Sequence, residues 1–247
     1  MFVRLLIMFY AITSYAVFLV SFMWAVGFVG NYNQLASKSI DVGDPTNVVE
    51  AILVDLLLLA LFAIQHSVMA RPVFKRWWMR IIPAASERST YVLLSSLILL
   101  LLFWQWRPIP SPVWQVEGLA AGVLIGIHWL GWAIVLASTY MIDHFDLSGL
   151  RQAYFAWRGA EAPAQPFKTP LLYRLVRHPL MLGFLLTFWA TPEMTIGHLL
   201  FATMTTAYIL VGLQFEERDL IAQFGETYQR YRQRVPMLLP RMFGRRA

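Results

Sequence analysis

Leu175-Val176-Arg177-His178-Pro179-Leu180-Met181-Leu182-Gly183 opens an apolar run that ends at Ala190. Thr191-Pro192-Glu193 interrupts it, and a second apolar run follows over Thr195–Leu213. The first run is too short to cross a bilayer core of about 30 Å, which takes about 20 helical residues. A residue ahead of a proline is pushed out of helical angles, so Thr191-Pro192 predicts a bend. Two apolar arms around one bend predict a helical hairpin over 180–213 that enters and leaves the bilayer on one side. Such a turn is tolerated at depth only under a cover of protein or beside a wet cavity.

Four earlier segments are long and apolar enough to span: about 5–29, 48–69, 91–106 and 119–140. The first is too long for the apolar core of a secretory signal, about 7–15 residues, and reads as a retained helix. Gly122, Gly126 and Gly131 soften the fourth and allow close helix approach. The fold class is therefore an all-α integral membrane protein, four transmembrane helices plus a C-terminal helical hairpin, followed by a cytoplasmic segment over 214–247. Trp104, Trp106, Trp114 and Trp129 fall near span ends and read as an interfacial aromatic belt.

The charge pattern tests this topology. Of 20 lysines and arginines, all but Lys38 and Arg107 fall on one side of the predicted spans. That side is cytoplasmic by the positive-inside rule, with both termini inside, as in a bacterial inner membrane. Only a fifth region with an even number of crossings keeps both its flanks there, which supports the hairpin independently. The same distribution explains the net charge of +6 without nucleic acid. Apolar residues make up 58% of the chain, against about 45–50% for a soluble domain. With no cysteine there is no disulfide and no thiolate nucleophile. His66, His128, His144, His178 and His198 form no i, i+4 pair, so no metal site is expected.

The hairpin carries the chemistry. Arg177-His178-Pro179 and Gly183 open its first arm, and Glu216-Glu217 lies just past its second. Antiparallel arms would return both clusters to one membrane face. Arginine can grip a carboxylate as a fork, and glutamate accepts from hydroxyl or ammonium groups, so the set suits a zwitterionic ligand. Pro179 at a helix start and Gly183 one turn on would leave backbone close to a bound ring.

At Arg177, His178, Pro179, Gly183, Glu216, Glu217, Leu220, Phe224, Gly225, Tyr228, Tyr231, Val235 and Pro236 the chain resembles the isoprenylcysteine carboxyl methyltransferase and phospholipid methyltransferase superfamily. Met181 departs from that pattern, which has tyrosine there. Upstream, Gln65-His66-Ser67, Glu87-Arg88-Ser89-Thr90-Tyr91, Phe103-Trp104-Gln105-Trp106-Arg107-Pro108 and Asp143-His144-Phe145-Asp146-Leu147 are similar to the bacterial methanethiol S-methyltransferases of the nitrite/nitric oxide reductase regulator-like branch. The resemblance implies one methyltransferase domain over 1–247. It implies S-adenosyl-L-methionine held by Arg177, His178, Gly183, Glu216 and Glu217 on the cytoplasmic side. It also implies conversion of methanethiol to dimethyl sulfide, with the thiol and membrane lipids as partners. Alternatives within the same fold are a lipid amine or prenyl-linked carboxylate as acceptor, or a non-enzymatic membrane factor.

Methyl transfer from a sulfonium to a thiolate is an in-line displacement governed by positioning. A base that takes the thiol proton is useful, because a small alkanethiol is mostly protonated near neutral pH. His66 at the end of the second span, and His144 with Asp146 as a possible orienting carboxylate after the fourth, are the candidate catalytic residues. Side chains two apart on a helix do not face each other, so a His144–Asp146 pair requires a turn there. His128 and His198 are expected to be structural.

Overall fold

The computed structural model describes residues 1–240 except Asn33 and Pro45, so the last seven residues of the predicted 214–247 segment lie outside the described residues. Its helices and strands run α1 (Phe2–Gly30), α2 (Val48–Ala70), α3 (Pro72–Trp78), α4 (Glu87–Gln105), β1 (Pro112–Gln115), α5 (Gly118–Ile142), α6 (His144–Leu147), α7 (Leu150–Arg158), α8 (Pro179–Trp189), β2 (Glu193–Thr195), α9 (Ile196–Phe224) and α10 (Glu226–Arg234). Among the described residues five helical stretches are long and apolar enough to cross a membrane: α1, α2, Ala84–Gln105 (α4 with its leading turn), α5 and α9. The protein is an all-α integral membrane protein. On α2, Val49, Leu53, Leu57, Leu61, Ile64 and Val68 form an exposed apolar stripe with steps of three and four residues. In water such a stripe would be buried against a partner; in a bilayer it faces acyl chains.

The two arms of the predicted hairpin are unequal. α8 is too short to span, whereas α9 runs helically through Glu216-Glu217 to Phe224, well past the apolar run that ends at Leu213. Hydropathy marks where the apolar run ends, not where backbone hydrogen bonding ends. Residues 214–224 mix charged with apolar side chains and are rich in good helix formers.

The chain divides into two compact units that interleave along the sequence. The first comprises Met1–Trp114, Asp143–Ala164 and Met194–Phe201. Its centre is aromatic: the Phe28 ring lies 4.8 Å from Phe103, 5.7 Å from Trp106 and 5.9 Å from Phe201. Trp106 is 1% exposed and its indole N–H donates to Ile40 O at 3.1 Å. It therefore belongs to the core and not to the expected aromatic belt, because its N–H finds a buried carbonyl. Asp55, fully buried in α2, accepts from the Arg107 backbone N–H at 2.9 Å. Asn47 caps the N-terminus of α2 by accepting from Val49 N at 2.9 Å.

The second unit comprises Gln115–Ile142, Gln165–Glu193 and the chain from Ala202. In it α5 packs on α8 through Gly131 and Gly183. A Cβ on Gly183 would lie 2.7 Å from Gly131 O and 2.8 Å from Val135 Cγ2. His128 ties the same pair of helices. Its Nδ1 lies 3.0 Å from Thr187 O, and Trp132 Nε1 donates to its Nε2 at 3.2 Å. A carbonyl can only accept and an indole N–H can only donate, so His128 is the neutral Nδ1–H tautomer and serves helix packing. α8 and α9 are antiparallel. Trp189 Nε1 donates to Thr206 Oγ1 at 2.9 Å near the turn, and Arg177 meets Glu217 at the open end.

Candidate functional site

The open end of the hairpin is a buried ionic cluster. Pro179 occupies the first turn of α8, where a missing N–H costs nothing, and this leaves Arg177 and His178 just ahead of the helix. Glu217, 4% exposed, faces them from α9. Arg177 Nε and Nη2 donate to Glu217 Oε1 at 2.7 and 2.6 Å, and His178 Nε2 lies 3.3 Å from the same oxygen. Arg232 Nε reaches the other oxygen, Oε2, at 3.2 Å. Glu216 is about half exposed, with Oε2 3.7 Å from His178 Nδ1.

Backbone carbonyls complete the grip. Arg177 Nη1 donates to Arg232 O at 3.0 Å and to Val235 O at 2.5 Å. Arg177 N donates to Pro236 O at 2.8 Å, and His178 N to Met237 O at 3.1 Å. The chain after α10 thus straps across the mouth of the hairpin. Gly225, at φ 54° and ψ −130°, makes the turn from α9 into α10, a conformation that favours glycine. Tyr231 donates to Tyr173 O at 2.5 Å, and the Phe167 ring packs 5.3 Å from Phe224 and 5.3 Å from Tyr231.

Tyr228 belongs to the family pattern, which assigns it no role. It is 1% exposed, and among the described residues its hydroxyl has no hydrogen-bond partner. Burial, reinforced by the Glu217 charge, raises its pKa, so it stays a neutral phenol able to donate. Burial likewise pushes Tyr231 up to about 12. A buried donor without a partner costs about 1–3 kcal/mol, a penalty that an acceptor brought within reach would remove.

Of the five predicted cofactor residues, Arg177, His178, Glu216 and Glu217 come together. Gly183 lies one turn further along α8, and its small size serves the close approach of α5.

The predicted catalytic residues belong to the first unit. His66 Nε2 lies 2.7 Å from Tyr91 Oη, and its Nδ1 lies 3.2 Å from Ser95 Oγ. Ser95 in turn donates to Gln65 Oε1 at 3.3 Å. With the serine proton committed to Gln65, Ser95 accepts from His66 Nδ1–H, and Tyr91 donates to Nε2. His144 is buried, with Nε2 2.8 Å from Tyr15 Oη. Burial lowers its pKa, against the pull of Asp143, so the neutral imidazole is favoured. Asp143 caps α6 by accepting from Asp146 N at 3.0 Å. The Asp146 carboxylate holds Arg151 at 3.0 Å, Gln152 at 3.0 Å and Arg88 at 3.4 Å. Among the described residues no group of three or more His, Cys, Asp or Glu could hold a metal.

Residues 54–215 match the family described as NnrU protein, and the chain belongs to that family. Among named relatives, it is 73% identical over 246 residues to methanethiol S-methyltransferase 2 of Bradyrhizobium diazoefficiens, covering 100% of this chain and 94% of that one. It is 55% identical to methanethiol S-methyltransferase of Mycobacterium tuberculosis, covering 96% and 97%. It is 53% identical to methanethiol S-methyltransferase 1 of B. diazoefficiens, covering 94% and 81%. No solved structure matches.

Proposed function

We propose that this chain is a membrane methyltransferase that converts methanethiol to dimethyl sulfide with S-adenosyl-L-methionine as donor. The observation that carries the reading is the 73% identity to a methanethiol S-methyltransferase over the whole chain. The hairpin mouth of the second unit is the proposed cofactor site. Its residues fit a zwitterionic ligand: the half-exposed Glu216 carboxylate can accept from hydroxyl or ammonium, and the Tyr228 hydroxyl is a buried donor awaiting an acceptor. When bound, the cofactor supplies a methyl group on a cationic sulfonium.

Glu217 has one oxygen on Arg177 and His178 and the other on Arg232, so its proposed task is positioning. It keeps two arginines and a histidine fixed before any ligand arrives, which lowers the ordering cost of binding. His66, His144 and Asp146 are proposed to serve the thiol side of the reaction. Burial favours the neutral form of His144, which is the form that can take a proton. Each imidazole holds a tyrosine hydroxyl on Nε2, His144 that of Tyr15 and His66 that of Tyr91. Asp146 braces the segment that carries His144 through Arg88 and Arg151. The excess of lysine and arginine on one side of the spans supports a cytoplasmic placement of this chemistry, in a bacterial inner membrane.

The test is headspace detection of dimethyl sulfide from purified protein given methanethiol and S-adenosyl-L-methionine. Product that requires both reactants is expected. Protein that binds S-adenosylhomocysteine yet makes no dimethyl sulfide would refute the thiol acceptor; protein that does not bind it would refute the cofactor site. One observation favours a lipid acceptor as a second reading. An apolar groove of about 440 Å³ runs along α8, lined by Leu124, Leu182, Leu186, Trp189 and Leu239. Methylation of a lipid amine or prenyl carboxylate in the same assay, with none of methanethiol, would select that reading.

A further inference from the structure

A second cavity of the second unit, about 390 Å³, lies between the segment leading to Arg177 and α10. Arg174, Arg230 and Arg234 line it, with Thr169, Thr227 and Phe167, and no carboxylate does. Arg230 and Arg234 are one helical turn apart and so share a face of α10. Arg174 Nε donates to Thr169 O at 3.3 Å, which tethers that guanidinium within its own wall, facing α10. The contrast with their neighbours is instructive. Arg177 and Arg232 are matched by Glu217, whereas among the described residues none of Arg174, Arg230 and Arg234 has a carboxylate within ion-pair distance. Three like charges around one cavity repel unless an anion joins them, and guanidinium forks match phosphate oxygens.

Two features favour a phosphate that belongs to a lipid. α10 begins immediately beyond α9, a helix long and apolar enough to span the bilayer. Leu171 and Leu175, in the same short segment as Arg174, are 69% and 57% exposed, so apolar side chains suited to the acyl boundary stand next to a residue that lines the cavity. We propose that the cavity walled by Arg174, Arg230 and Arg234 binds the phosphate of an anionic phospholipid headgroup. The threonine hydroxyls add neutral donors, and Phe167 and Tyr231 complete the lining. Val235, whose carbonyl holds Arg177, also lines the cavity, but Arg177, His178, Glu216 and Glu217 do not, and the proposal does not depend on the cofactor reading.

The test uses the full chain in detergent without cofactor and measures retention of labelled phosphatidylglycerol against labelled phosphatidylcholine. The wild type should prefer phosphatidylglycerol, and each arginine removed should weaken its retention about fivefold. The combined R174Q/R230Q/R234Q variant should lose the preference. The combined R76Q/R80Q/R158Q variant, equal in charge but changed elsewhere, should keep it. Thermal unfolding accompanies each variant, and R230Q alone gives the reading if the triple variant does not fold. Four outcomes overturn the proposal: no lipid preference in the wild type, equal loss in the charge-matched control, displacement of the lipid by inorganic phosphate as readily as by unlabelled phosphatidylglycerol, or displacement by S-adenosylhomocysteine.

Discussion

Glu217 and Asp146 each hold two arginines, one carboxylate in each unit, and they differ in depth. Glu217 is 4% exposed and its partner Arg177 is 7% exposed. Asp146 is 16% exposed, with Arg151 at 18% and Arg88 at 32%. Their hydrogen-bond geometry is similar; access to water is what separates them. Water can replace much of what Asp146 does if the carboxylate is neutralised. Around Glu217 water has little access, so removing its charge strands a buried guanidinium. Breaking a buried pair from one side costs about 3–5 kcal/mol, whereas a partly exposed one is worth about 0–1 kcal/mol.

The largest expected effect is therefore at Glu217. Glu217→Gln should lower the melting temperature and weaken S-adenosylhomocysteine binding at least tenfold by calorimetric titration. Unchanged affinity in a folded variant would remove Glu217 from the cofactor site and make the cluster a clasp of the hairpin alone. Gly183→Ala comes next. Its methyl group would lie 2.7 Å from Gly131 O, and α8 must shift from α5 to admit it. Overpacking of this kind costs about 1–3 kcal/mol, read as a drop in melting temperature. A variant as stable as wild type would show that the two helices are not held at this distance.

His144 gives a pH test. Burial lowers its folded pKa, so the folded protein binds fewer protons there than the unfolded chain. Its contribution is complete above the ordinary imidazole value of about 6.5 and is lost as pH falls through the lowered value. Melting temperature followed from neutral to mildly acidic pH should fall more steeply for wild type than for His144→Gln. Identical slopes would mean that the imidazole is as well hydrated folded as unfolded. The smallest effect belongs to Asp146→Asn, which should cost about 1 kcal/mol or less and change dimethyl sulfide formation by less than tenfold. A much greater loss of rate at preserved stability would make Asp146 part of the chemistry and erase the contrast with Glu217.

Much of the hairpin was legible in the sequence. Pro192 and the charge asymmetry were enough to foresee that Arg177 and Glu217 would meet. The apolar runs also located the five long helices, though α9 reaches Phe224 because helix formation does not stop where hydropathy does. Trp106 was misread as interfacial because composition near a span end cannot distinguish an indole at the headgroups from one bonded to Ile40 O. Gly183 was read for its backbone exposure, and its nearest neighbours turned out to lie on α5, a relation between distant segments. Tyr228 was visible as part of a motif, but its unsatisfied hydroxyl is a property of packing.

The strap across the hairpin mouth holds Arg177 and His178 through the carbonyls of Arg232, Val235, Pro236 and Met237. Every amino acid supplies a carbonyl, so side-chain exchange at Val235, Pro236 and Met237 leaves these hydrogen bonds in place, whereas Arg232 also holds Glu217 with its side chain. Their spacing has no such freedom. Deleting one residue between Arg232 and Met237 would slide each acceptor out of register with its donor. Past Arg234 that segment is tolerant in composition and strict in length, so an engineer could recode its end but could not shorten it.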